Sequence, residues 1–438
     1  MSSALTLVRG QILHFLSDPI HDDPSSYEYF ADGALWIEQG KVLKVGNWET
    51  ITSNITPEKL SRATLYDYSG KLIMPGLVDT HCHYPQAKVI GSYGRQLLDW
   101  LNDYTFPTEA AFADPDVALR GAEYFVKRLL AHGTTTASVF ATVHPTSVDA
   151  FMQTAEKYGL RMLCGKVMMD RHCPDNLRDT AEQSGIESQD LIDRWHGKGR
   201  LRYSITPRFA PTSTPEQLHI AGELYHSRPD LHVQSHLAEN WDEIHWVRSL
   251  FPERFDYLNV YEYYGLTGER TIYGHCIHLS PREIQSMSEQ GTAAAFCPTS
   301  NLFLGSGFFD YSKVAEANVR IGLATDVGGG TSFSLIRTLG EAYKVAQVHK
   351  QPLSALRGWY LATLGGAKGL YLDSFIGNFT SGKEADFIVI DTSTIEELDY
   401  RLQGVESLSE RLFALMIMGD ERNIYATHIQ GHKISFEA

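Results

Sequence analysis

The middle of the chain alternates between short apolar runs of strand length and longer segments in which apolar residues recur every three or four positions. The apolar runs predict eight strands, at residues 72–78, 134–140, 161–168, 201–206, 232–235, 271–274, 292–296 and 320–324. The clearest helical segments are 116–130, 215–228 and 281–291, where Pro215 suits a first turn and Gly291 a C-terminal cap. This alternation predicts an α/β fold, a closed (β/α)8 TIM barrel. An open doubly wound sheet would also alternate, but the chain has no GxGxxG turn.

The two ends of the chain have a different pattern. Short strand-like pieces separated by turns occur before about residue 70, as in GALWIEQGKVLKVG, and again after 376, as in ADFIVIDTS. Two β-rich ends around an α/β middle predict a small β-sandwich domain built from both termini. We therefore expect residues 1–70 and 377–438 in the β domain and residues 71–376 in the barrel.

Length and composition agree with a large globular enzyme-sized fold. The 438 residues suit a barrel of about 250 residues with additions. No apolar run approaches the roughly 18 residues of a membrane span, so we expect no membrane partner. The first residues alternate between apolar and polar types, which predicts a strand and lacks the continuous apolar region of a signal peptide.

Charge and cysteine content narrow the possible partners and compartment. The formal net charge is −15 and no basic face stands out, so a nucleic-acid partner is not expected. The five cysteines form no CxxC pair, and an odd number favours a reducing compartment over a disulfide framework. These features predict a cytoplasmic protein.

Polar residues of catalytic type follow four of the predicted strands. They are His81 and His83 after strand one, His236 and Glu239 after strand five, His275 after strand six and Asp326 after strand eight. In a barrel these strand ends meet at one rim, which is where barrel enzymes place their active sites. Alternation along a strand lets His81 and His83 point to one side, while Cys82 points elsewhere as a packed thiol.

The donor set suits a catalytic zinc ion. Imidazole and carboxylate ligands favour zinc, with iron and manganese as alternatives. Three histidines, one aspartate and a water would make an open site. An HxH pair alone is weak evidence, because many such pairs are surface or core histidines. The later strand-end residues strengthen the prediction. His278 is the competing choice to His275, which we prefer because it directly follows an apolar strand.

Several short sequence motifs resemble those of a known superfamily. PGLVDTHCH, a later strand-end histidine, the GHC histidine and the TD pair after strand eight resemble the amidohydrolase superfamily, as does the split β domain. Its two-metal members bridge their metals with a modified lysine on strand four. Strand four here reads LRYSITPRFAP, without lysine, and Lys166 on strand three is interpreted as structural. This departure indicates the mononuclear zinc branch.

Longer words resemble the guanine deaminase family within that superfamily. They include HCHYPQ, LLDWLNDYTFPTE, ITPRFAPT, HLAEN and FCPTSNLFLGSG, between about residues 75 and 350. The HxE and PCxxC motifs of the other zinc deaminase architecture are absent from the sequence. The resemblance implies hydrolysis of guanine, a small-molecule substrate, to xanthine and ammonia. It also implies a homodimer.

The resemblance also implies roles for the candidate residues. One zinc ion per chain would be held by His81, His83, His236 and Asp326. Asp326 would accept the water proton, and His275 would either orient the water or enter the metal shell. Glu239 would carry a proton to the ring nitrogen and then to the leaving amine. Its structural alternative is a solvated carboxylate at a helix start, where Asn240 would cap the helix.

The same sequence motifs also imply which residues would contact the substrate. Gln86, Arg208 and Phe209 would hold the purine, in a contact set that also includes His83, His236, Glu239 and Asp326. Arg208 could instead pair structurally with a carboxylate, and Trp100 and Phe106 could be either pocket walls or ordinary packing. Three other functions remain open at this point. They are the same chemistry on a cytosine, adenosine or triazine ring, a two-metal amidase, and a binding protein without catalysis.

Overall fold

The computed structural model describes residues 5–93 and 97–435, which form sixteen strands in two sheets. The strands are β1 (Leu5–Phe15), β2 (Tyr27–Glu38), β3 (Lys41–Asn47), β4 (Thr64–Pro75), β5 (Leu77–His83), β6 (Thr134–Phe140), β7 (Arg161–Gly165), β8 (Val167–Met168), β9 (Arg202–Pro207), β10 (His232–Leu237), β11 (Thr271–His275), β12 (Ala293–Phe296), β13 (Ile321–Leu323), β14 (Phe387–Ile390), β15 (Ile424–Ile429) and β16 (His432–Lys433).

Eight parallel strands form the barrel, in the order β5-β6-β7-β9-β10-β11-β12-β13, with β8 paired to β9. The circle closes between the end of β13 and β5. There the Asp326 amide donates to the His81 carbonyl at 2.9 Å, and the Thr80 hydroxyl donates to the Leu323 carbonyl at 3.0 Å. The predicted barrel fold is confirmed.

Helices cover the outside of the barrel and part of the second sheet. They are α1 (Trp48–Ser53), α2 (Pro57–Ser61), α3 (Leu97–Trp100), α4 (Phe106–Ala110), α5 (Pro115–Ala131), α6 (Pro145–Lys157), α7 (Ala181–Trp195), α8 (Pro215–Ser227), α9 (Trp241–Leu250), α10 (Tyr257–Tyr263), α11 (Pro281–Gln290), α12 (Pro298–Phe303), α13 (Tyr311–Glu316), α14 (Leu335–Val348), α15 (Ala355–Tyr360), α16 (Gly366–Gly369), α17 (Glu396–Leu402) and α18 (Leu408–Met418). The three clearest predicted helices are confirmed as α5, α8 and α11. No helix in the described part of the chain is long and apolar enough to cross a membrane.

The predicted first barrel strand, at 72–78, is wrong in its position. Residues up to Pro75 belong to β4 of the second sheet, and the barrel strand begins at Leu77 and continues through His83. All seven residues of β5 are buried, although four of them are Asp, Thr or His. The position of the apolar run therefore did not predict the limits of β5, because the polar residues of this strand are also buried.

The second sheet joins both ends of the chain. Its order is β16-β15-β14-β4-β1-β2-β3, so that β4 from the N-terminal part pairs with β14 from the C-terminal part. The predicted fold class is confirmed, with the refinement that all seven strands belong to one continuous sheet. The predicted ends 1–70 and 377–438 include residues 1–4 and 436–438, which lie outside the described residues. The domain limits themselves stay a prediction.

Two interpretations of single residues agree with the structure. Cys82 is fully buried among apolar side chains, and all five cysteines are free. Lys166 separates β7 from β8, and its ammonium group lies against the carboxylates of Asp179 and Glu187. It is fully buried in this ion pair. Lys166 is therefore a structural residue, as the sequence indicated.

A buried ion-pair network joins the barrel to the second sheet, and we expect it to stabilise the protein strongly. Arg200, which precedes β9, contacts Glu384 at 2.9 Å and Asp386, and only 9% of its side chain is exposed. Arg200→Ala would leave two buried carboxylates short of a partner, so the free energy of unfolding should fall by about 3–5 kcal/mol.

Urea unfolding of the purified variant measures this loss. The matched control is Arg62→Ala, which breaks an ion pair with Glu58 whose side chains are 73% and 75% exposed. That variant should lose no more than about 1 kcal/mol. Equal stability of the two variants would contradict a stabilising role for the network.

Candidate active site

A cavity opens at the carboxyl ends of the barrel strands. The predicted site residues that line it are His83, Gln86, Arg208, Phe209, His236, Glu239, His275 and Asp326. His81 is buried beside them, with its ring against the rings of His83 and His236. The fold thus brings all the predicted site residues together, from positions spread over almost 250 residues of the chain.

Three imidazole nitrogens and one carboxylate converge at the base of the cavity. Nε2 of His83 lies 3.3 Å from Nε2 of His81 and 3.3 Å from Nε2 of His236. An Asp326 carboxylate oxygen lies 3.5 Å from Nε2 of His81 and 3.4 Å from Nε2 of His83. Ligands held about 2.0–2.1 Å from a tetrahedral zinc ion lie about 3.4 Å from one another. The spacing of these four atoms therefore fits a zinc ion.

The protonation states also fit a metal. Burial lowers the pKa of His83 and of His236 well below the usual range, which keeps both imidazoles neutral with a lone pair to donate. Nδ1 of His236 lies 2.6 Å from the Arg208 carbonyl, a hydrogen bond that directs Nε2 toward the cluster. Burial opposes the charge of Asp326, yet its contacts with His81 and the nearby His275 hold its pKa at about 2. The group can therefore ligate as an anion.

His275 lies between the metal cluster and Glu239. Its Nε2 is 3.3 Å from a Glu239 carboxylate oxygen and 3.9 Å from an Asp326 carboxylate oxygen. Its Nδ1 lies 2.8 Å from Oδ1 of Asn301, which can only accept, so Nδ1 carries a proton. His278, the competing choice, lies outside the cluster and bonds to the Ser306 carbonyl at 2.9 Å.

Glu239 is a buried carboxyl group and not a solvated one. Only 3% of the residue is exposed, and the Ser306 hydroxyl donates to it at 2.9 Å. Burial raises the pKa of Glu239 to about 7, so that the group can hold a proton at neutral pH. Its backbone amide donates to Glu243, whose other oxygen accepts from Tyr257 at 2.8 Å. Asn240 caps α9, as predicted.

The strand ends at the site have a strained backbone. Ala238, His275 and Asp326 have φ values of 52°, 70° and 49°, in the left-handed region that residues other than glycine seldom occupy. Such strain is concentrated at functional sites, where the surrounding structure maintains it. Gly274 adds a close approach, because a Cβ atom there would lie 2.7 Å from the His81 ring. This glycine leaves room for the His81 imidazole inside the barrel.

Asp79 supports the same rim from below. It is fully buried, and burial raises its pKa to about 7. Its carboxyl group accepts hydrogen bonds from the Thr325 amide at 3.0 Å and from the Thr325 hydroxyl. The His81 amide also donates to it at 3.4 Å. Asp79 therefore fixes the residues next to Asp326 relative to the HxH pair.

Arg208 forms the pair with a carboxylate that was one of its two predicted roles, and it also faces the cavity, whereas its contact with a purine stays a prediction. It lines the cavity, and its Nη1 also donates to Glu109 at 2.7 Å. Gln86 donates to the other Glu109 oxygen at 2.7 Å. Trp100 also lines the cavity. Phe106 is outside the cavity lining, and its ring lies 5.3 Å from the Arg208 guanidinium carbon.

Sequence reasoning missed the residues that hold the site residues in place. They are Glu109, Glu243, Asn301 and Gly274. Asn301 and Glu109 stand in words that were recognised as a resemblance, FCPTSNLFLGSG and LLDWLNDYTFPTE, and this was the available signal. Their partners follow only from the folded structure.

Comparison with known proteins shows similarity to one enzyme family over nearly the whole chain. The amidohydrolase family model matches residues 72–434. Guanine deaminase of Escherichia coli (strain K12) is 49% identical over 98% of this chain and 98% of its own. The solved structure of E. coli guanine deaminase superposes with a TM-score of 0.95, covering 98% of this chain and 99% of that one. Guanine deaminase from C. acetobutylicum, solved with guanine in its active site, is 31% identical with a TM-score of 0.89 and covers 98% and 100%.

Proposed function

The chain belongs to the amidohydrolase family and, within it, to the guanine deaminases, and we propose that it hydrolyses guanine to xanthine and ammonia with one zinc ion. The observation that carries this proposal is the position of Glu239. A buried carboxyl group that can hold a proton at neutral pH lies beside a donor set of three imidazoles and one carboxylate, in a cavity that also holds Arg208 and Gln86. A metal site alone would serve many hydrolases, whereas this combination suits deamination of a purine.

The ligands of the proposed zinc ion are His81, His83, His236 and Asp326. When bound, zinc lowers the pKa of water from 15.7 to about 7 and so makes hydroxide available at neutral pH. The donor set of three imidazoles and one carboxylate suits zinc, and the distances of 3.3–3.5 Å between its donors are compatible with that ion.

The side chains around the donor set supply the proton transfers. Water forms a bond to the carbon that carries the 2-amino group, and the bond from that carbon to the amine breaks. Asp326 accepts a proton from the water, and His275 orients the water from the Glu239 side. Glu239 gives its proton to the neighbouring ring nitrogen, takes up the proton of the newly added hydroxyl and passes that proton to the leaving amine, so that ammonia departs uncharged and xanthine remains. The proton held by Asp326 then returns to Glu239 and restores the starting state. General acid–base catalysis of this kind contributes about 10²–10⁴-fold.

Ammonia release from a panel of amines tests the assignment of the substrate. The zinc-loaded protein is incubated with guanine, cytosine, adenosine and an amino-triazine at equal concentrations. The proposal predicts ammonia from guanine, with the other three slower by at least about a hundredfold. Faster release from any of the other three would contradict it.

Arg208 is proposed to recognise the oxygen at position 6 of guanine, with Gln86 and Phe209 at other edges of the ring. An arginine fork matches the O6 and N7 acceptors of guanine, whereas adenine presents an amino donor at position 6. Arg208 has only donors, so adenine would leave buried groups unpaired at about 1–3 kcal/mol each. Each such group corresponds to roughly ten- to a hundredfold in discrimination.

Arg208→Ala should therefore lose most guanine turnover while it keeps its metal. Steady-state kinetics with guanine and adenine, together with elemental analysis, measure both quantities. Arg202→Ala is the matched control, because Arg202 lies at the opposite end of β9 and outside the cavity lining. If Arg208→Ala keeps the full preference for guanine, this account of recognition is wrong.

Compartment and assembly are part of the proposal. The five free cysteines support a reducing compartment, and we propose a cytoplasmic enzyme. The homodimer stays a proposal from the family resemblance, which light scattering of the purified protein would test.

A further inference from the structure

The geometry points to Glu109 as the positioning residue that sets purine specificity: its carboxylate holds Arg208 and Gln86 together and leaves the remaining Arg208 donors for the substrate. This inference rests on the proposed guanine hydrolysis and adds a residue to it. Glu109 itself is outside the cavity lining and 1% exposed. It therefore acts through the two residues that it binds.

Both oxygens of Glu109 are used. One accepts from Gln86 Nε2 and the other from Arg208 Nη1, each at 2.7 Å. The Gln86 amide is fixed at its other end as well, because its oxygen accepts from the Gly328 amide at 3.3 Å. A single carboxylate thus sets the direction of two side chains that follow different barrel strands, β5 and β9, and face the same cavity.

The helix that carries Glu109, α4, also constrains the Arg208 guanidinium on a second side. Phe106 and Glu109 are three residues apart on α4, so both side chains lie on one face of that helix. The Phe106 ring lies 5.3 Å from the guanidinium carbon, while Glu109 takes Nη1. An arginine has five donors, and among the described residues only Nη1 of Arg208 has a hydrogen-bond acceptor. The other donors remain for a ligand with acceptor atoms.

Burial makes this arrangement necessary. Arg208 is 3% exposed, and a buried cation without a paired anion is strongly disfavoured. Glu109 therefore allows a permanent positive charge to exist in the cavity wall in one fixed direction. Without it, Arg208 would turn toward another acceptor or toward solvent, and the match to the purine oxygen would be lost.

The experiment measures steady-state kinetics of Glu109→Gln with guanine and with 2-aminopurine, which has the same 2-amino group but lacks the oxygen at position 6. We expect the KM for guanine to rise roughly ten- to a hundredfold, with a smaller change in kcat and unchanged zinc content. The ratio of kcat/KM between guanine and 2-aminopurine should fall by a similar factor. If the role of Glu109 were merely structural, kcat/KM would fall equally for both substrates and their ratio would stay the same.

Two controls make the result specific. Asp179→Asn removes the charge from another carboxylate paired with a buried cation, Lys166, outside the cavity lining, and should leave the ratio unchanged. In the Arg208→Ala background, Glu109→Gln should change the ratio little further, because Glu109 acts through Arg208. If Glu109→Gln does not fold, Glu109→Asp carries the same test, since it keeps the charge but shortens its reach.

The outcomes separate the inference from the proposed function. Absence of guanine turnover by the unsubstituted protein would overturn the proposed function and the inference with it. Normal turnover by the unsubstituted protein, with KM and ratio unchanged in Glu109→Gln, would overturn the inference alone. A lowered ratio in the single variant that disappears in the Arg208→Ala background would support it.

Discussion

Purified His83→Ala should contain almost no zinc and should deaminate guanine at a rate indistinguishable from background. The His83 Nε2 atom lies 3.3–3.4 Å from the donor atoms of the other three proposed ligands. Its loss therefore removes the donor that lies close to all the others. The barrel should remain folded, because the residue lies at the carboxyl end of β5, where the apolar core does not depend on it. Elemental analysis, circular dichroism and ultraviolet kinetics measure the three quantities.

His232→Ala is the matched control for this variant. His232 is also buried, but it lies at the opposite end of β10 from His236 and bonds to the Leu370 carbonyl. It should keep its zinc and its turnover even if the protein is less stable. Full zinc occupancy in His83→Ala would refute the assignment of the ligand.

Glu239→Gln is expected to keep its zinc and lose at least about a hundredfold in kcat. Glutamine has the same shape and can still accept from the Ser306 hydroxyl, but it has no exchangeable carboxyl proton. The KM should change less than kcat, because the substitution affects the proton transfers more than binding. Steady-state kinetics with zinc-loaded protein provide the measurement.

Glu283→Gln is the control for the loss of a buried carboxylate at a helix start. Glu283 belongs to the capping box of α11 and is 4% exposed, but it lies outside the cavity lining. Its kcat should match that of the unsubstituted protein. If Glu239→Gln also keeps its kcat, Glu239 does not carry the proton.

The sequence predicted most of the barrel because runs of strand length, rich in apolar and β-branched residues, alternate with helical segments. The strand predicted at 134–140 has the same limits in the structure, and the one predicted at 161–168 differs only by the break at Lys166. The first barrel strand was misplaced because VDTHCH is buried in spite of its polar residues. Hydropathy cannot identify such a strand, since its burial depends on Thr325, Asp326 and the metal cluster.

A topological rule was enough to predict the site residues, but it could not predict the residues that hold them in place. Strand ends converge in any barrel, so His81, His236 and Asp326 could be grouped without knowing a distance. Glu109 lies on the short helix α4 and Asn301 on the short helix α12, and their importance depends on which buried donor each one faces. That pairing is a property of the folded chain.

The most direct test of the central claim is a zinc titration of metal-free protein, with guanine turnover followed by ultraviolet absorbance. The account predicts that activity rises linearly and reaches its plateau at one zinc ion per chain. A plateau at two zinc ions per chain would contradict the mononuclear site. Full guanine turnover in the metal-free protein would contradict the role of the metal altogether.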